Sequence, residues 1–113
     1  MKRVLIGMVS VFVVAAFAGP ASAQDLAKGA KVYADQKCSM CHSIAGKGNA
    51  KGVLDNVGAT LKVEEIRQWI LDPVAMTAKA KAARKPPMPA KYKALPKEDL
   101  DALVAYMASL KKS

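Results

Sequence analysis

Cys38-Ser39-Met40-Cys41-His42 decides how the rest of this sequence is read. Two thiols stand three residues apart and an imidazole follows at once. The chain has 2 cysteines and 1 histidine, and all three are here. At the end of a helix, residues three apart share a face. Both sulfurs can then meet one edge of a planar group while the imidazole is carried beneath it. A porphyrin fits that demand, since two thiols can add to its two vinyl groups and a ring nitrogen can reach its iron. Three other chemistries use parts of the pattern. A dithiol redox pair also uses C-x-x-C, but it needs a strand–helix context, and no strand pattern flanks the motif. A structural zinc site needs four ligands, and only three are present. A plain disulfide leaves the histidine without a purpose. The spacing therefore points to one covalent haem c, attached through Cys38 and Cys41 and ligated by His42.

The segment before the motif reads as a helix from about Leu26 to Cys38, capped by Asp25. Leu26, Gly29, Ala30 and Tyr33 fall on one side of it, with Lys28, Lys31 and Asp35 on the other. After the motif, Ser43 to Gly58 reads as loop, with Gly46, Gly48, Gly52 and Gly58 in it. A loop of that length in a small domain wraps something or carries function. A second helix is expected over Val63 to Leu71. Glu64 and Glu65 favour its first turn, which explains them better than a catalytic pair does. Ile66, Trp69 and Ile70 form its buried side, with Trp69 read as packing rather than as a contact to a haem propionate. Asp72-Pro73 stops this helix, and a basic, proline-rich stretch runs from Val74 to Leu95. A third helix starts near Pro96, with Leu100, Leu103, Val104, Met107 and Leu110 as an apolar stripe. The expected fold class is all-α, with three main helices and long loops.

The first 23 residues read differently. Lys2 and Arg3 precede an apolar run, Gly19-Pro20 breaks it, and Ala21-Ser22-Ala23 is a small-x-small site. This is the pattern of a secretory signal peptide cut between Ala23 and Gln24. The run is shorter than the roughly 20 residues that span a bilayer, so no transmembrane segment is expected in the mature chain. The domain is then 24–113, exported, with the periplasm as the expected location. A domain of that size gains little from a protein core alone, and two cysteines close at most one disulfide. A prosthetic group would complete the core.

The full chain carries 18 basic and 9 acidic residues. The leader removes Lys2 and Arg3 and no acid, which leaves 16 against 9. Such an excess favours acidic partner surfaces. Aromatic residues are few and none interleaves with a basic helix, so nucleic acid is not expected as a partner.

A sixth iron ligand must come from elsewhere in the chain. Met40 lies between the cysteines and cannot reach the opposite face. Met107 belongs to the last apolar stripe. Met88 stands in Pro86-Pro87-Met88-Pro89, where prolines fix the backbone and can hold a thioether towards iron. Met76 is the competitor without such flanks.

These residues resemble the class I c-type cytochromes over nearly all of the mature chain. The resemblance rests on C-x-x-C-H, on Met88-Pro89 late in the chain, on Gly29-x-x-x-Tyr33 and on Leu103-x-x-Tyr106. It implies a cytochrome c-like fold wrapped around one haem, terminal helices that cross at the glycine and the aromatics, and electron transfer. It also implies His/Met ligation, by His42 and Met88. One departure stands out. The family has a Gly-Pro step in its first loop, whose proline carbonyl accepts a hydrogen bond from the histidine ligand. The matching step here is Gly52-Val53.

From Pro73 to Lys97 there is no acidic residue, while Lys79, Lys81, Arg84, Lys85, Lys91, Lys93 and Lys97 surround Met88. This stretch reads as a docking rim for a redox partner with an acidic surface, against the plainer reading of a solvated loop. The expected function is one-electron transfer by a monomeric carrier, not an enzyme. A haem-bearing subunit of a larger oxidoreductase needs the same domain. A haem peroxidase or gas-binding protein would need a distal histidine or arginine arranged over an open iron, which the sequence does not supply.

Overall fold

A computed structural model describes residues 22–112. The expected leader lies outside them except for Ser22 and Ala23. Helix α1 runs Ala23–Asp35, three residues earlier at each end than expected. Its cap is Ser22 and not Asp25. The Asp25 N–H donates to Ser22 Oγ at 3.2 Å, and the Ser22 N–H donates to Asp25 Oδ2 at 3.3 Å. This reciprocal pair satisfies two of the open N–H groups at the helix start. At the other end Lys37 turns left-handed, with φ 55°, and a residue in that region ends a helix. Cys38 therefore follows α1 instead of closing it.

The chain then makes a tight 3₁₀ turn over Cys38–Met40. A short antiparallel ladder follows, β1 Ser43–Ile44 with β2 Lys47–Gly48. No strand was expected from the sequence. Ala45 and Gly46 both have positive φ, 53° and 79°, the backbone of a two-residue hairpin turn that twists with its strands. The Ala45 N–H donates to Asp55 Oδ1 at 2.8 Å, which holds this non-glycine residue in place. Helix α2, Val57–Thr60, then breaks up the expected loop.

Helix α3 is Val63–Leu71, as the periodicity predicts. Glu65 accepts from the Lys62 N–H at 3.1 Å, so it caps the helix. Pro73 does stop α3, but it also opens α4, Pro73–Ala80. Asp72 accepts from the Ala75 N–H at 3.2 Å, and proline suits a first-turn position where no N–H is needed. The basic stretch is thus helical at its start. Helix α5 is Lys97–Ser109, with Pro96 before it. The expected all-α class holds among the described residues, with the two short helices α2 and α4 added to the three expected.

Val32 of α1, Ile66 and Ile70 of α3, Tyr92, and Leu100, Leu103, Val104 and Met107 of α5 make the core. Helices α1 and α5 cross at Gly29, where a Cβ would strike the Ala102 carbonyl and the Cβ of Tyr106. Tyr33 and Tyr106 pack edge to face beside this crossing, ring centres 6.1 Å apart. Among the described residues no helix is long and apolar enough to cross a membrane.

Candidate functional site

The core does not close. An apolar cavity of about 250 Å³ lies between α1, α3, α5 and the segment around Met88. Tyr33, Cys38, His42, Trp69, Met88 and Met107 are in its walls, with Leu and Ile side chains between them. A second cavity of about 220 Å³ shares Cys38, His42, Trp69, Met88 and Tyr92 and adds Cys41, Arg84 and Pro86 to Pro89. Shared walls make the two cavities parts of one crevice.

Local folding puts the motif on its edge. The His42 N–H donates to the Cys38 carbonyl at 2.9 Å and the Cys41 N–H to the same oxygen at 3.1 Å. The motif therefore forms a helical turn of its own, which gives the thiols the common face that α1 was expected to give. Cys38 and Cys41 are free thiols, both half-buried. Burial, as the largest cause, raises the Cys38 thiol above its ordinary range.

His42 donates through Nδ1 to the Gly52 carbonyl at 3.1 Å. A carbonyl can only accept, so the proton is on Nδ1 and Nε2 is left with a lone pair. Nε2 has no partner among the described residues. The acceptor is Gly52, not the expected Val53, which is exposed. Burial, the largest cause, pushes the His42 ring below the usual histidine range, and the Arg84 charge acts the same way, while the Gly52 bond opposes both.

The methionines separate clearly. Met88 is half-buried and lines both cavities, whereas Met76 lines neither. Met107 lines the first but is buried in the core, and Met40 is 71% exposed. Trp69 departs from its expected packing role. It is absent from the core cluster and lines both cavities. Ile66 and Ile70 line the first cavity too, but they also belong to the core cluster, whereas Trp69 does not.

A flat apolar macrocycle fits these walls. The first cavity is nearly free of polar lining, two unpaired thiols stand at the edge of the crevice and an imidazole lone pair is available. The Tyr33 hydroxyl is buried without a partner among the described residues, and its pKa is pushed up to about 12, first by burial and then by Cys38 and Tyr106. Among the described residues no group of three or more His, Cys, Asp or Glu side chains converges to hold a metal ion by itself. The zinc alternative thus has no ligand set there.

Residues 26–111 match the model of the cytochrome c family, and the chain belongs to that family. It carries covalently bound haem c and serves haem-based electron transfer. It is also similar to cytochrome c oxidase subunit 2 of Alkalihalophilus pseudofirmus, 31% identical over 93 residues, covering 74% of this chain and 25% of that protein. The chain thus spans about a quarter of that relative's length. No solved structure matches the chain.

Proposed function

We propose that this protein is an exported one-electron carrier. Its haem c is bonded to Cys38 and Cys41 and ligated by His42 and Met88. The observation that carries this reading is that His42 and Met88, far apart in sequence, line the same crevice with Cys38. When bound, haem c supplies an iron centre that gains and loses one electron. The chain does the rest. The Gly52 carbonyl orients the imidazole and fixes its tautomer. Pro86, Pro87 and Pro89 stiffen the backbone that presents Met88. Trp69, Tyr92 and the aliphatic walls exclude water from the crevice. With His42 and Met88 both holding the iron, the Met88 thioether would raise the reduction potential.

Lys79, Lys81, Lys85, Lys91 and Lys93 are exposed, and none is paired with a carboxylate among the described residues. This rim favours an acidic redox partner and speeds encounter. The leader supports the periplasm as the place of action. A second reading draws on the likeness to an oxidase subunit: the same domain would act as the haem-bearing part of a larger oxidoreductase. Recovery from native membranes as a stable complex, rather than as a free protein, would favour it.

The ligand assignment is tested by the weak long-wavelength absorption of sulfur-ligated ferric haem. Wild type and Met76→Ala should show the band and Met88→Ala should not. A band that survives in Met88→Ala would remove Met88 from the site.

A further inference from the structure

Arg84 differs from the cations around it. The lysines of the rim are exposed, while Arg84 is half-buried and lines the cavity that holds Cys41 and His42. Its Nη1 stands where a Cβ on Gly52 would be, a space also bounded by the Cys41 carbonyl and His42 Nδ1. Only a glycine at 52 leaves room for the guanidinium and the imidazole against the same peptide. No carboxylate among the described residues pairs with Arg84, and no acidic residue lines either cavity. The charge is therefore uncompensated, half-buried and close to the His42–Gly52 hydrogen bond.

We propose that Arg84 sets the reduction potential, its positive charge beside His42 favouring the ferrous over the ferric state. The inference rests on His42 being an iron ligand. Losing an electron adds one positive charge to the iron–imidazole unit, and a nearby uncompensated cation opposes that. The opposition is stronger in a half-buried site than in water. Arg84 stands four residues before Met88, so one segment supplies both the thioether and the cation.

The test uses the haem-loaded protein and Arg84→Gln, Arg84→Met, Arg84→Lys and Lys85→Gln. Removing the charge should shift the ferrous/ferric ratio at fixed ambient potential about three- to tenfold towards ferric; a tenfold shift is about 59 mV for one electron. The His42 Nδ1 proton resonance of the ferrous protein should move with it. Arg84→Lys should retain most of the potential, and Lys85→Gln, an exposed neighbour, should change the ratio less than twofold. Arg84→Met keeps the aliphatic stem and serves if Arg84→Gln does not load haem. A charge-neutral variant with the sulfur band intact and an unchanged ratio would overturn the inference. So would an equal fall in Arg84→Lys, or a fall that leaves the Nδ1 resonance still. Absence of the sulfur band in wild type would instead count against the ligand assignment itself.

Discussion

His42 donates its Nδ1–H to the carbonyl oxygen of Gly52 across 3.1 Å, which ties the motif to a loop ten residues on. Gly52 is needed there for space. A Cβ would meet the Cys41 carbonyl, the Arg84 guanidinium and His42 Nδ1 at once, and two of those three cannot swing away. Gly52→Ala should destabilise the haem-loaded protein by about 1–3 kcal/mol, the usual cost of overpacking. Urea unfolding measures it. The Nδ1 proton resonance should shift in the same variant. An unchanged urea midpoint would mean that the loop has slack.

Gly29 is the corresponding point of the helix crossing. Alanine there gains about 1 kcal/mol of helix propensity. Its Cβ would also collide with the Ala102 carbonyl and Tyr106, so α1 and α5 would have to move apart. The net effect of Gly29→Ala should be a loss of about 1–2 kcal/mol, read from thermal unfolding. A gain in stability would show that the crossing tolerates a wider gap.

Removing the attachment should cost far more. An unfilled cavity costs about 24 cal/mol per Å³, so the crevice of about 250 Å³ represents about 6 kcal/mol before any collapse. Whole domains hold only about 5–15 kcal/mol. Cys38→Ala, Cys41→Ala, made without haem, should therefore give poorly dispersed amide resonances. Sharp, well-dispersed resonances would show that the polypeptide core suffices.

Much of this was legible in the sequence, and the misreadings have physical causes. C-x-x-C-H and the α3 boundaries follow from spacing, the start of α5 from Pro96, and the crossing at Gly29 and Tyr106 from the family resemblance. The start of α1 does not, because Ser22 caps it from within the stretch that reads as leader. Pro73 has two meanings, and its role as an N-terminal residue of α4 shows only once Asp72 is seen to cap. Trp69 shares the cavity wall with Ile66 and Ile70 but not their place in the core, and apolar periodicity cannot tell a core wall from a cavity wall. The acceptor carbonyl moved from Val53 to Gly52 because backbone groups carry no sequence signal. Arg84 was one of seven basic residues spread between Pro73 and Lys97; what sets it apart is burial.

The exposed lysines give a kinetic prediction. Lys79→Glu, Lys81→Glu and Lys85→Glu together should slow electron transfer to the native acceptor about tenfold or more at low ionic strength. The gap should narrow as salt screens the charges. Potential and absorption spectrum should stay near wild type, since none of the three lines the crevice. Equal rates and equal salt dependence would reduce the rim to a solvated loop.

Asp101 gives a pH dependence with a definite sign. It accepts from Arg67 Nη1 at 2.8 Å, joining α5 to α3, and lies 3.4 Å from Lys97 Nζ. The Arg67 hydrogen bond, first among the causes, holds its carboxyl below the usual range; desolvation opposes it, and Lys97 adds to the lowering. A carboxyl depressed on folding stabilises the native state above its unfolded pKa, about 4, and that stability is lost as pH falls through the lower folded value. Asp101→Asn should therefore unfold at lower urea than wild type at pH 7, by a modest margin because the pair is partly exposed. The difference should shrink as the pH is taken below about 4. A gap of constant size from pH 7 to pH 3 would mean that the residue acts through packing and not through its charge.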